Sequence, residues 1–264
     1  MLLYRLLKAP FFGRFMVPWK NPLSEEETSH WKKSRLKSRS GGTISVWHQK
    51  GNGADPSRTV ILGHSMGKPA KGDFLKTRYA QYLLDQGFNV VLFDFNGFGE
   101  SSLGSFRFHW DLVAVLEMAQ RAYPDTTFVY HGVSFGSNWG SAVAHLSDHP
   151  FEYMILESSP VNLLEFWKHF PTPYRVLRLL FTLLPHYKTY TNFEQHVARS
   201  RGLKAILLIT SDSDIYTPEA MAERFREAAP CLATISVYPN ARHALAILKD
   251  RDRYLKECLE FLTL

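Results

Sequence analysis

Short runs that are apolar on consecutive positions recur along this chain: TVILG at 59–63, VVLFDF at 90–95, FVYHG at 128–132, YMILE at 153–157 and AILLIT at 205–210. A strand covered on both faces needs apolar side chains on both, so unbroken runs predict strands of a buried parallel sheet rather than an alternating, half-wet one. Between the runs the period changes to that of a helix. Leu75, Tyr79, Leu83 and Leu84 fall on one face of a helix expected to stop at Gly87, and Trp110, Val113, Leu116 and Ala119 fall on one face of another. Strand alternating with helix predicts right-handed βαβ units, hence an α/β fold with a mostly parallel sheet and helices on both faces.

Ahead of this pattern, GGTISVWHQ, the turn-rich GNGADPS and the strand from about Thr59 predict an antiparallel hairpin with a loose loop. The alternation is interrupted once, between Glu157 and Lys204, by a segment rich in aromatics and leucine. Within it, LLEFWKHF and YRVLRLLFTLL predict two short helices with apolar and basic faces, and an insertion at about 160–202 stands where a lid would sit. A strand, the helix PEAMAERFREAA, a last strand ATISVY and an amphipathic helix through KDRDRYLKECLEFL follow. With 264 residues the chain can bury one large core, so residues 41–264 are expected to form one domain carrying the insertion.

Residues 1–40 are expected to be an amphipathic N-terminal segment packed on that body. The opening MLLYRLLKAPFFGRFMVPWK is apolar and basic, but Arg5, Lys8 and Arg14 cut its apolar run too short for a secretory core or a membrane span. Peripheral contact of residues 1–20 with a membrane surface is the alternative to docking on the domain. With no signal recognised, the expected location is cytoplasmic, with membrane-peripheral placement as the variant.

Charge adds little. Thirty-one Lys and Arg against 25 Asp and Glu give +6, but the basic residues are dispersed and not banded with stacking aromatics, so no nucleic-acid partner is expected. Two cysteines, Cys231 and Cys258, without metal-ligand spacing suggest neither a disulfide framework nor a zinc site. Neither metal nor organic cofactor is expected, and an oligomeric state is not set by these features.

The chemistry concentrates elsewhere. Gly132-Val133-Ser134-Phe135-Gly136 follows a predicted strand directly and leads into the small-residue helical segment SNWGSAVAHL. A strand turning abruptly into a helix holds the middle serine strained with its hydroxyl exposed, and small flanking residues let the turn close. Gly63-His64-Ser65-Met66-Gly67 matches the same pattern, but only the hairpin precedes it, whereas a nucleophile of this kind leaves a central strand already flanked by parallel ones.

A serine hydroxyl needs a base within reach and a third group to fix the base's tautomer. In strand–turn–helix hydrolases the acid follows the nucleophile and the histidine comes last, each past the end of a later strand. Asp214, in SDSDIYTP, and His243, the last of eleven histidines, occupy those places. Asp212 is the rival acid; the Asp-x-x-Thr-Pro spacing, which starts the next helix at Pro218, favours Asp214.

Taken together, HSMG at 64–67, FDFNGFGESS at 93–102, GVSFG, DIYTP and His243 resemble the α/β-hydrolase superfamily over residues 43–263, and within it the monoglyceride-lipase, esterase and serine-peptidase-like hydrolases with a small lid. Ser65 stands where the family usually has the glycine of HG, and Asn96 where an arginine usually braces the loop. The resemblance implies an α/β-hydrolase fold and a serine hydrolase of carboxylesterase, lipase or thioesterase type. It implies Ser134 as nucleophile, His243 as base and Asp214 as the group stabilising the imidazolium, with the backbone N–H groups of Phe135 and Met66 as oxyanion donors.

The insertion carries the hint of substrate: Phe166, Trp167, Phe170, Leu177 and Phe181 could line an acyl pocket, or merely bury the insertion. The expected partner is a small acyl ester or thioester. An acyltransferase using the same acyl-enzyme, a peptidase holding a free amino terminus through Glu157, and a catalytically silent small-ligand binding module stay open as alternatives.

Overall fold

The computed structural model describes residues 2–17, 21–53, 57–146 and 149–264. Residues 18–20 of the expected membrane-contacting segment and 54–56 of the expected loose loop lie outside the described residues, as does residue 1. The chain divides into two compact units, Met1–His131 and Gly132–Leu264.

The first unit runs α1 (Leu2–Phe12), β1 (Lys32–Lys37), β2 (Thr43–Gln49), β3 (Arg58–Gly63), α2 (Gly72–Lys76), α3 (Tyr79–Asp85), β4 (Asn89–Phe93), α4 (His109–Ala122) and most of β5 (Thr127–Val133). Its strands are ordered β1-β2-β4-β3-β5. β3 and β4 are parallel, with Val60 opposite Val90 and Leu62 opposite Leu92. Their runs are fully buried, as consecutive apolar positions require.

The expected hairpin is corrected. β2 pairs antiparallel with β1 and with β4, not with β3. The β1–β2 turn closes through Ser38 and Gly42, with Gly41 at φ +87, a conformation glycine takes without a Cβ penalty. β1, KKSRLK, carries almost no apolar signal because charged side chains blunt an edge strand against further pairing. Hydrophobic pattern therefore passed over it, and a boundary at residue 40 falls inside a hairpin.

Two helix expectations also change. Leu75, Tyr79, Leu83 and Leu84 are buried as one face, but Arg78 at φ +59 breaks the segment into α2 and α3. In α4 the buried stripe includes Leu112, Val115, Leu116 and Ala119, while Trp110 and Val113 are half-buried. The cause is Asp111, which turns inward to accept the hydroxyls of Ser38 and Ser40 and both N–H groups of Asn96, and so places a carboxyl inside the stripe.

α1 packs within this unit. Phe12 meets the edges of Phe98 and Phe108, and the buried Lys8 ammonium donates to Asn96 Oδ1 at 2.5 Å while lying 4.2 Å from the Phe108 ring centroid. Leu3, Tyr4, Leu6 and Leu7 are exposed on the rest of the helix.

The second unit runs α5 (Phe135–Ala144), β6 (Phe151–Glu157), α6 (Leu163–Trp167), α7 (Pro171–Leu183), α8 (His186–Tyr190), α9 (Phe193–Ala198), β7 (Ala205–Thr210), α10 (Glu219–Ala228), β8 (Leu232–Val237), α11 (Ala246–Lys249) and α12 (Arg251–Leu262). β6, β7 and β8 pair in parallel, Ile155 opposite Leu207 and Leu207 opposite Thr234. The segment between β6 and β7 holds four helices rather than two. Asn162 and Asn192, which cap α6 and α9 through their side chains, meet in an antiparallel bridge, so this segment leaves and rejoins the body at one place.

Candidate active site

Ser134 joins β5 to α5 at φ +50 and ψ −107, and only 5 % of it is exposed. A non-glycine residue held there costs on the order of 1–3 kcal/mol and persists only where its surroundings fix it. Here Ser134 N–H donates to the Glu157 carbonyl at 2.7 Å, and its own carbonyl accepts Ser137 Oγ at 2.6 Å. The small residues of α5, Gly136, Ser137, Gly140 and Ser141, are all buried, which lets the helix start hard against the turn.

His243 Nε2 lies 2.7 Å from Ser134 Oγ, and its Nδ1 lies 2.7 Å from Asp214 Oδ2. Asp214 is buried beyond the end of β7 and accepts four donors: Tyr216 and Thr217 N–H on Oδ1, and the Thr217 hydroxyl and His243 on Oδ2. Burial pushes its carboxyl up, but hydrogen bonding and charge from His243, with the Thr217 bonds, outweigh that and hold it below the ordinary carboxylate range. An ionised carboxylate only accepts, so the proton of neutral His243 sits on Nδ1. Nε2 is left with its lone pair toward the serine hydroxyl, the tautomer a general base needs.

The rivals are placed differently. Asp212 is exposed and accepts Asn240 N–H at 2.7 Å and the Ser213 hydroxyl at 2.9 Å, a loop-bracing role. Ser65 lies in the first unit, after β3. The buried His64 beside it accepts Phe95 N–H on Nε2, so its Nδ1 donates to the Ser65 carbonyl rather than to the hydroxyl. Burial holds that imidazole below its usual pKa, consistent with a neutral ring committed to backbone.

Of the expected substrate residues, Phe166 and Trp167 are buried and Phe170 is half-buried. The Phe166 ring lies 5.8 Å from His243, and Phe170 stacks on Tyr216 at 5.4 Å with 12° between planes. Tyr216 itself stands 5.5 Å from His243, edge to face. Leu177 is buried on α7 and Phe181 half-buried there; neither joins this aromatic group in the contacts described. Phe135 follows Ser134 at the head of α5, and Met66 is half-buried in the first unit.

Sequence reasoning missed Tyr216 and Thr217, although both lie inside the motif DIYTP that was read for Asp214 alone. It also misjudged Glu157. That carboxyl is 1 % exposed and its oxygens are taken by Ala246 N–H and the Tyr254 hydroxyl, so it is not placed to hold a peptide's amino terminus. An acid ending an otherwise apolar strand was the signal. Among the described residues no group of three or more His, Cys, Asp or Glu is arranged to hold a metal ion.

A family model described as the alpha/beta hydrolase fold matches residues 71–175. Solved structures extend the likeness over nearly the whole chain. An esterase from Pyrococcus furiosus is similar at 17% identity and TM-score 0.72, covering 94% of this chain and 96% of its own. A serine hydrolase from Xanthomonas campestris, described as lacking a lid, is similar at 20% identity and TM-score 0.65, covering 91% and 97%. An esterase from Exiguobacterium antarcticum follows at 13% identity and TM-score 0.65, covering 88% and 100%. No curated protein sequence matches. The chain has the α/β-hydrolase fold.

Proposed function

We propose that this α/β-hydrolase-fold protein is a serine hydrolase that cleaves a small acyl ester or thioester through an acyl-enzyme on Ser134. The observation that carries this is the continuous line Ser134 Oγ, His243 Nε2, His243 Nδ1, Asp214 Oδ2, with 2.7 Å at each gap. Ser134 Oγ attacks the acyl carbonyl carbon while its proton passes to His243 Nε2, and Asp214 stabilises the imidazolium. The tetrahedral oxyanion is held by the Phe135 N–H, next to the nucleophile, and by the Met66 N–H; the second role rests on the sequence match at HSMG alone. His243 then protonates the leaving oxygen or sulfur as its bond to the acyl carbon breaks. Water, deprotonated by the same nitrogen, cleaves the acyl-enzyme and restores the serine.

The aromatic group of Phe166, Trp167, Phe170 and Tyr216, of which Phe166 and Tyr216 flank the His243 ring, supports an apolar substrate, because such a wall offers contact to apolar groups and few partners to polar ones. α6 to α9 then serve as the lid, Lys168, Arg175 and Arg178 facing solvent. The proposal keeps contact of α1 with a membrane surface through Leu3, Tyr4, Leu6 and Leu7, its exposed apolar side. No described helix is long and apolar enough to cross a membrane.

The test is fluorophosphonate labelling of wild type, Ser134→Ala and Ser65→Ala, run beside p-nitrophenyl esters of increasing chain length. Loss of label and turnover only in Ser134→Ala is expected. Label that survives in Ser134→Ala and vanishes in Ser65→Ala moves the nucleophile to β3, and a wild type that never labels leaves a binding module.

A further inference from the structure

Two consecutive residues at the end of β6 reach both segments that carry the reacting groups. The Glu157 carbonyl accepts Ser134 N–H at 2.7 Å. Its side chain accepts Ala246 N–H on Oε1 at 3.1 Å and the Tyr254 hydroxyl of α12 on Oε2 at 2.7 Å. Ser158 Oγ accepts Ala244 N–H at 3.0 Å, and Ser158 N–H is anchored on the β7 carbonyl of Ile209 at 2.9 Å. His243 is thus followed at once by two residues, one and three positions on, whose backbone N–H groups end on Glu157 and Ser158.

The segment needs that restraint. Ala244 is held at φ +57, a conformation unfavourable for an L-residue and one that alanine has no polar side chain to stabilise. Ser158 at φ +49 and Ser134 at φ +50 are also held at positive φ; Ala244 N–H bonds directly to Ser158, and Ser134 N–H to the carbonyl of Glu157, the residue before Ser158. Glu157 is also a poor choice for mere filling. It is 1 % exposed, its two hydrogen-bond donors are uncharged, and burial pushes its carboxyl up despite the bonds from Tyr254 and Ala246. An apolar side chain would fill the space without desolvating a carboxyl, but would take away the acceptor that the Ala246 N–H and the Tyr254 hydroxyl use here.

We propose that Glu157 and Ser158 are positioning residues that set the distance between nucleophile and base, holding His243 through Ala244 and Ala246 and Ser134 through the Glu157 carbonyl. The catalytic consequence rests on the hydrolase assignment; the structural half does not. Hydrogen exchange at the Ala244 and Ala246 amides is measured on the full chain, beside kcat and KM for a p-nitrophenyl ester, in wild type, Glu157→Ala, Glu157→Gln and Ser158→Ala. Glu157→Ala speeds exchange at Ala246 and Ser158→Ala at Ala244. Each lowers kcat by about 10²-fold, the cost of an ångström of misplacement, with KM changed by no more than about threefold. Glu157→Gln, whose amide oxygen accepts Ala246 N–H and whose NH2 donates to the Tyr254 hydroxyl, keeps Ala246 protected and recovers most of the rate. Should Glu157→Ala fail to fold, Ser158→Ala and Glu157→Gln carry the comparison. Unchanged exchange, a wild-type kcat despite faster exchange, or a Glu157→Gln enzyme as slow as Glu157→Ala would each overturn the proposal. A wild type that neither labels with fluorophosphonate nor turns over overturns the hydrolase assignment instead, and exchange alone then decides whether these two residues hold the segment.

Discussion

Asp214 Oδ2 accepts the Thr217 hydroxyl at 2.5 Å and lies 2.7 Å from His243 Nδ1, so one oxygen both ties Asp214 to its own loop and orients the His243 ring. Replacing Asp214 by Asn puts an NH2 group against one of these donors and favours the tautomer with its proton on Nε2. Asp214→Asn is therefore expected to lower kcat for an acyl ester by about 10³–10⁴-fold with little change in KM. Asp212→Asn, on the exposed side of the same loop, stays within about twofold of wild type, a surface change of small energy. Equal losses in the two variants, read by steady-state kinetics, would overturn the choice of Asp214 over Asp212.

Asp214 also makes stability depend on pH. Its folded carboxyl titrates below the ordinary value, so the native state binds fewer protons than the unfolded chain near that value. The stabilisation is complete above about pH 4, the unfolded pKa, and is lost as pH falls through the lower folded value. Thermal melts of wild type between pH 2 and 5 should fall more steeply than those of Asp214→Asn; parallel curves would show that the carboxyl gains nothing on folding.

Tyr216 and Phe166 are expected to act on specificity rather than on the proton transfers. Truncating either to Ala opens the wall beside His243, and kcat/KM for an apolar ester should fall by roughly tenfold, the order of 1–3 kcal/mol that pocket contacts supply. Tyr216→Phe keeps the ring that stacks on Phe170 and should retain most of the activity. Uniform loss across ester chain lengths, or none, in a kcat/KM series would remove these rings from the substrate site.

What the chain made legible follows from how each feature is encoded. The buried parallel strands announce themselves because both faces are apolar, and the GVSFG turn, chain order and the Asp-x-x-Thr-Pro spacing together named the three residues that stand in line at Ser134, His243 and Asp214. Strand partners are not encoded this way. β2 was assigned to the next apolar run because its true neighbour, KKSRLK, is an edge strand whose sequence is written for solvent. Tyr216 escaped because a loop has no period to betray which side chain turns toward His243. Glu157 was noticed as chemistry but misread, since nothing in YMILESS tells that both its oxygens are spoken for by Ala246 and Tyr254.

The glycine that opens the second G-x-S-x-G is explained by packing. A Cβ on Gly63 would lie 1.8 Å from the hydroxyl oxygen of Tyr130, a fully buried side chain. Gly63→Ala is expected to destabilise by about 1–3 kcal/mol, the cost of overpacking a filled core. Chemical denaturation measures it. A variant as stable as wild type would show that Tyr130 has room to move.

If α1 meets a lipid surface, its outward leucines do the work. Leu3→Ser with Leu6→Ser leaves Lys8, Phe11 and Phe12 in place on the body and should lower partition into anionic vesicles by about tenfold, because binding follows the apolar area inserted. Unaltered partition, or none in wild type, would leave α1 as a docked helix only.

Lys8 gives α1 a pH signature of its own. Burial pushes the ammonium down to about 7, against the attraction of Asp111. The unfolded chain keeps its lysine protonated to about pH 10.4, so between these values the unfolded state binds one proton more than the native state. Stability then rises with pH across that window, and is insensitive to this group below it. Compared with Lys8→Met, which cannot titrate, wild type should show a constant melting difference from pH 5 to 6.5 and gain on the variant from pH 7.5 to 9.5. A difference that stays flat through pH 9.5 would mean that the Asn96 oxygen and the Phe108 ring, together with Asp111, keep the ammonium charged in place.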